Sequence, residues 1–184
     1  MKVYLDSGVF IDYLIGRGHT SSFLRATERR GRPPERLLAD AEACFSAIVQ
    51  GHEGVTSSLT CYEVEEAMYR ELRRSTTEVV SVDRFIIPAA RAVIMQTLVT
   101  IELFKIALLD LTSAVVIAQC DNVELQRRGI RAADALHIAT ALAHDAHVFV
   151  TTDGNLLALD NAFANADGTR VRCVDTDEAL SLLS

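Results

Sequence analysis

Residues 131–154 read RAADALHIATALAHDAHVFVTTDG, and the reading of this stretch decides the fold. Arg131 to His144 is dense in helix formers and predicts a helix. Val148 to Thr152 predicts a short buried strand, ended by the turn pair Asp153-Gly154. A helix that feeds a buried strand is half of a parallel βαβ unit. The same alternation extends outward to both ends of the chain. Lys2 to Leu5 predicts a strand bounded by Asp6-Ser7-Gly8, followed by a helix over Val9 to Ile15. Residues 20–30 read as helical, GRPPE at 31–35 as a break, and Leu37 to Val49 as an amphipathic helix. Val55 to Ser57 predicts a second strand. Thr60 to Arg74 predicts a helix whose start, Thr60-Cys61-Tyr62-Glu63, fits a capping box. Residues 75–82 read as β-rich or irregular, and Pro88 as opening or kinking a helix that runs through Ala90 to Leu98. Leu103 to Leu109 predicts a strand ended by Asp110. Helices follow over Thr112 to Cys120 and, as a turn or short helix, Asp121 to Gly129. Val171 to Val174 predicts the last strand and Asp177 to Leu183 the last helix. Strands separated by helices imply an α/β fold, a three-layer α/β/α sandwich around a mostly parallel sheet.

The chain has 184 residues, 49% of them apolar and 23% charged. That suits one domain over 1–184, with helical elaborations around 19–50 and 61–100. A chain of this size buries enough surface to fold without disulfide or metal staples. Cys44, Cys61, Cys120 and Cys173 form no C-x-x-C and no zinc-type cluster, so they read as reduced thiols of a cytoplasmic protein. Asp6 comes too early for a signal peptide, and no uncharged apolar run approaches the ~18 residues of a membrane span. A net charge of −7 argues against a protein that holds duplex DNA by bulk charge. The absence of Trp leaves little for a base-stacking platform. The basic residues are nearly all Arg. They crowd at Arg25, Arg29, Arg30, Arg32 and Arg36, and again at Arg127, Arg128 and Arg131.

Three acids stand where such a sheet binds ligands. Asp6 follows the first strand, Asp153 follows the VFVTT strand, and Asp134 lies in the first turn of the helix feeding it. Glu63 begins the helix after strand two and projects to the same edge. At an effective dielectric of ~20, two unit charges 4 Å apart repel by about 4 kcal/mol, so convergent carboxylates must hold a proton or a cation. Oxygen ligands without His or Cys point to Mg²⁺ or Mn²⁺, and their chemistry to hydrolysis of a phosphodiester by metal-activated water.

The segments VYLDSGVFIDYL, SSLTCYEV, AADALHIATAL and VFVTTD resemble, in order and spacing, those of PIN-domain ribonucleases, and most of all the VapC toxins of bacterial toxin–antitoxin pairs. The resemblance implies a Mg²⁺/Mn²⁺-dependent endoribonuclease whose acid set falls on Asp6, Glu63, Asp134 and Asp153. Of these, Asp6, Asp134 and Asp153 are the expected metal ligands. Thr151 stands where the family often has a hydroxyl that places a water or metal, and Ser7 is a second candidate support. RNA as substrate, products with 5′-phosphate and 3′-hydroxyl ends, a cognate antitoxin and a homodimer are implied in the same way. The chain departs from many relatives at Gly8, where they carry Asn, and at Leu156, where they carry an aromatic.

Each residue also has a plainer reading. Asp6 serves as a turn former or helix N-cap, Asp134 as a first-turn acid favoured by the helix dipole, Glu63 as the capping-box acid, and Asp153-Gly154 as an ordinary turn. Asp110 reads as a helix start, Asp12 as part of a solvated face, and Ser7 as a turn residue or a support. His137 reads as a packed or hydrogen-bonded histidine, His144 and His147 as helix-end and surface residues, and the 25–36 Arg cluster as a solvated face rather than an RNA or partner contact. A phosphatase of the haloacid-dehalogenase type needs a second Asp at position 8, which is Gly. A receiver domain needs a lysine after a late strand, whereas Lys105 falls inside a predicted one. The non-enzymatic alternative is an RNA- or protein-binding module on a degenerate PIN scaffold.

Overall fold

Along β1 (Lys2–Leu5) the side chains alternate: Val3 and Leu5 enter one hydrophobic core and Tyr4 the other, all three fully buried. A strand covered on both faces reads as a continuous apolar run, and that is how the strands of parallel sheets appear in sequence. The computed structural model describes residues 1–17, 28–75, 83–130 and 132–184. Most of the helix expected over 20–30, nearly all of the stretch 75–82, and Arg25 and Arg131 lie outside the described residues; residues 28–30 are not helical.

The elements follow in the order β1, α1 (Ser7–Arg17), α2 (Pro34–Gly51), β2 (Glu53–Ser57), α3 (Leu59–Ser75), α4 (Asp83–Leu103), β3 (Ala107–Leu109), α5 (Ser113–Cys120), α6 (Val123–Arg127), α7 (Ala132–Ala143), β4 (Val148–Val150), α8 (Gly154–Leu157), β5 (Arg172–Val174) and α9 (Thr176–Leu183). The strands form one five-stranded sheet in the order β3-β2-β1-β4-β5, and every neighbouring pair is parallel. One face carries α1, α2, α3, α4 and α9 over a core that includes Val3, Leu5, Phe10, Phe45, Val64, Val150 and Val174. Phe45 is its aromatic centre, stacked on Phe104 at 4.9 Å and edge-on to Phe10 and Tyr13. The other face carries α6, α7 and α8 over Tyr4, Phe149, Leu125, Ile138 and Leu156. The expected aromatic after the last Asp is thus replaced by a leucine that is a core residue. The result is the α/β/α sandwich with a parallel sheet that the sequence predicts.

Several local expectations need correction. α4 begins at Asp83 and runs to Leu103, so Pro88 lies inside the helix instead of opening it, and β3 is confined to three residues. The N–H that Pro88 lacks is a tolerable loss when Ile86, Ala90, Val93 and Ile101 bury the same stripe. α4 is also the one helix among the described residues long and apolar enough to cross a membrane, though only a third of the relevant stretch is buried. The N-cap of α5 is Thr112, whose hydroxyl accepts from Val115 N–H; Asp110 is not the helix start. The capping box at Thr60 does not form. Thr60 lies within α3, and its hydroxyl meets that of Thr56 at 2.7 Å. Thr56 gives its own proton to the carbonyl of Leu5, so Thr60 is the donor.

The largest correction concerns Asp12 and the arginines. Asp12 is buried, not solvated, and Arg29 grips both of its oxygens at 3.0 and 2.6 Å. Arg32 reaches Asp40 at 3.0 Å and also bonds Asp175, the N-cap of α9, which Arg30 joins at 3.2 Å. Arg36 completes the set on Asp40 at 2.9 Å. Asp40 and Asp175 are both buried. These four arginines therefore clasp α1, α2 and α9 together and do not form a free basic face.

Candidate functional site

The sheet order places a topological switch between β1 and β4: the chain moves from β1 to β2 and β3 on one side, then returns to β4 and β5 on the other. Ligands of open α/β sheets bind in the crevice at the carboxyl ends of such strands. Asp6 leaves β1 at that end, and its N–H donates to the Val150 carbonyl of β4 at 3.0 Å. Thr151 leaves β4 beside it. The Thr151 hydroxyl donates to Asp6 Oδ2 at 2.7 Å and accepts from the Asp153 N–H at 3.1 Å. One hydroxyl thus links the Asp6 carboxylate to the backbone N–H of Asp153. Ser7 holds the other oxygen of Asp6, with its N–H at 2.8 Å from Oδ1.

Glu63 lies in the first turns of α3 and enters the site from the β2 side. Its Oε2 is 2.7 Å from Nε2 of His137. The same nitrogen is 3.8 Å from Asp6 Oδ1. Asp6, Glu63 and His137 each offer a ligand atom, all within 4.8 Å of one another. Asp134 stands in the first turn of α7, one turn before His137. Asp153 caps the four-residue α8, accepting from Asn155 N–H at 2.7 Å and Leu156 N–H at 3.4 Å. Its turn-forming role is therefore real, and it is exercised at the edge of the crevice.

The electrostatics describe one negative basin. Partial burial, then the charges of Asp153, Asp6 and Glu63, push the Asp134 carboxyl up to about 6, with His137 opposing. Burial also raises Asp6, again against His137, Thr151 and Ser7. Glu63 goes the other way: its burial is outweighed by the hydrogen bond and charge of His137, by Ser7 and by Arg70, so it stays below the usual range. Burial alone would depress His137, but the Glu63 bond and the charges of Asp6, Glu63 and Asp134 hold it above the usual histidine value. The Asp134 carboxyl thus faces the charges of three other acids, with His137 set against them, and such a donor set fits a hard divalent cation.

Sequence reasoning leaves two members of this arrangement outside the acid set. His137 reads as packed or hydrogen-bonded, and it is both: fully buried, with its ring bonded to Glu63. Tyr4, whose hydroxyl lies 2.7 Å from His137 Nδ1, sits in a strand that reads only as apolar. The spacing of His137 one turn beyond Asp134 was the one signal for the first. Nothing local distinguishes the second.

No protein-family model matches the sequence, and no curated protein matches it. Among solved structures, a chain in the crystal structure of VapBC2 from Rickettsia felis bound to a DNA fragment from their promoter superposes with a TM-score of 0.51. The likeness covers 94% of this chain and 98% of that one, at 13% sequence identity. At that identity it is the fold that is shared, an α/β sandwich around a parallel sheet.

Proposed function

We propose that the chain is a Mg²⁺- or Mn²⁺-dependent endoribonuclease of the PIN type, acting as the toxin of a toxin–antitoxin pair in the cytoplasm. The observation that carries this reading is the link from the Asp6 carboxylate through the Thr151 hydroxyl to the Asp153 backbone at the β1/β4 switch, with Glu63 beside Asp6. Asp6, Asp134 and Asp153 hold the ion, and Glu63 orients the attacking water or supports the ion. Ser7 and Thr151 fix the two oxygens of Asp6. A divalent ion here would supply an activated water and neutralise charge building on the phosphodiester. The surrounding residues keep the carboxylates aimed before the ion arrives, which limits the ordering cost of binding. The whole of 1–184 is read as one PIN-like unit, with helical elaboration around 19–50 and 61–100.

The partners follow from the same reading. α4 exposes Phe85, Met95, Val99 and Leu103, and α3 exposes Tyr62, an apolar surface that supports a protein partner. A cognate antitoxin and a second copy of the chain are the partners proposed. The solved VapBC2 structure, which shares the fold, supports the antitoxin.

The test is RNA cleavage by the purified chain with Mg²⁺ or Mn²⁺ and with chelator, for wild type and Asp6→Asn. Cleavage that needs the metal and is lost in Asp6→Asn is expected. RNA binding without cleavage, unchanged by chelator or by Asp6→Asn, would identify a binding module on a degenerate scaffold instead.

A further inference from the structure

His137 poses a choice. It stands with Asp6 and Glu63 in a group compact enough to surround an ion, yet both ring nitrogens already have partners. Tyr4 and His137 are completely buried, their rings edge-to-face at 5.9 Å, and Tyr4 is stacked on Phe149 at 5.1 Å. Neither ring is free to turn. The protons can therefore be counted. Nε2 lies 2.7 Å from Oε2 of Glu63, a carboxylate oxygen that can only accept, so Nε2 carries a hydrogen. The phenol's own proton is then left for His137 Nδ1, 2.7 Å away. A neutral imidazole that accepts at Nδ1 carries its hydrogen on Nε2. A ring that takes up a second proton keeps the one on Nε2. In both forms Nε2–H faces Glu63, and a protonated nitrogen has no lone pair for a metal.

We propose that His137 is a positioning residue and not a ligand: Tyr4 fixes the imidazole with its hydrogen on Nε2, and that N–H holds Oε2 of Glu63, leaving the second oxygen of Glu63 for the ion or its water. This rests on the reading of the site as a divalent-ion centre. It deepens that reading by making the ligand set all-oxygen, which favours Mg²⁺ or Mn²⁺ over zinc. It also gives Tyr4, a strand residue outside the acid set, a part in the site. A glutamate has several side-chain torsions, and a donor fixed from the core removes that freedom before the ion binds.

The proton position can be read directly by two-bond ¹H–¹⁵N spectra of the His137 ring in ¹⁵N-labelled protein, metal-free and saturated with Mg²⁺. The hydrogen should stay on Nε2 in both. Its loss from Nε2 on adding Mg²⁺, or its presence on Nδ1 alone in the metal-free protein, overturns the assignment. Mg²⁺ affinity measured by calorimetry provides the second arm. His137→Leu should weaken it about tenfold or more, Tyr4→Phe by a smaller factor, and His137→Gln, which can still offer an N–H to Glu63, should restore most of the loss. Tyr4→Phe removes a single oxygen, so it serves even if His137→Leu does not fold. Wild-type affinity in all three variants would rule out the positioning role alone. No Mg²⁺ binding by wild type would remove the metal-centre reading, and the positioning role with it.

Discussion

The hydroxyl of Thr152 fills the space that a side chain at position 8 would take: a Cβ on Gly8 would lie 2.0 Å from Thr152 Oγ1 and 3.1 Å from Thr152 Cβ. Gly8 is the second residue of α1, and Thr152 stands between Thr151 and Asp153. The absence of a side chain thus lets the start of α1, just after Asp6, close on the exit of β4, just before Asp153. Gly8→Ala gains about 1 kcal/mol of helix propensity but overpacks this contact at about 1–3 kcal/mol. Net destabilisation is expected in urea unfolding, and Gly8→Ala combined with Thr152→Gly should recover it, with a coupling energy on the order of 1 kcal/mol. A Gly8→Ala variant as stable as wild type would mean that Thr152 swings aside freely and that the close approach does not matter.

Asp134 carries the clearest electrostatic penalty. Its folded pKa of about 6 lies above the ordinary 3.8, so the folded state binds the extra proton. In chelator, stability should therefore fall as pH rises through the window between those values, with the full penalty present above it. The shift corresponds to about 3 kcal/mol at face value, and about 1–2 kcal/mol once solvent screening of a half-buried group is allowed for. Asp134→Asn should remove this pH dependence, raise the melting temperature of the metal-free protein at pH 7, and shrink the further rise that Mg²⁺ gives wild type. Thermal melts at several pH values, with and without Mg²⁺, check all three. An Asp134→Asn protein less stable than wild type in chelator would show that Asp134 is held by favourable contacts and not by repulsion.

What the sequence makes legible here is what local pattern controls. VFVTTD announces a buried strand that ends on a hydroxyl and an acid, and DALHIATAL a helix that opens on one, because burial and turn formation are decided within a few residues. The long-range pairings are not written that way. Thr60 and Glu63 satisfy a capping-box pattern, but the structure gives Thr60 to Thr56 and Glu63 to His137, 74 residues away, where the buried ring needs an acceptor. Asp12 in the middle of a helix looks solvated until Arg29 folds over it. Pro88 looks like a helix start because its cost is visible locally, while the buried stripe of α4 that offsets it depends on tertiary packing. The proposed acid set is thus readable as positions at strand and helix ends, and its support from Tyr4 and His137 only as a fold.

The four cysteines should separate by burial. Cys44 and Cys173 are buried, and loss of solvation pushes each thiol up to about 12. Cys61, partly buried, is also raised by burial, and Cys120 is exposed. The thiolate is the reactive form, so a disulfide reagent at pH 8 should modify Cys120 first and Cys61 more slowly, and reach Cys44 and Cys173 only on unfolding. Mass-spectrometric mapping of the labelled sites decides this. Early labelling of Cys44 would contradict the packing of α2 against the sheet, and early labelling of Cys173 that of β5.

Arg32 and Asp175 anchor the clasp on α9. Burial alone would raise the Asp175 carboxyl, but the Arg32 bond, the Thr176 N–H and the charges of Arg32 and Arg29 bring it below the usual value. A carboxylate with a lowered folded pKa contributes stability that is complete above the unfolded value near 3.8 and is lost as pH falls through the folded one. Arg32→Met removes the bonds to Asp175 and Asp40 and leaves two buried carboxylates short of partners. Breaking a buried pair in this way costs about 3–5 kcal/mol, and the midpoint of acid unfolding should move to higher pH. At pH 7, where the variant is still folded, RNA affinity should match wild type, because the guanidinium is spent inside the protein. Urea and acid titrations measure the first effect and filter binding the second. Unchanged stability with weakened RNA binding would return the arginine cluster to the RNA contact that the salt-bridge network argues against.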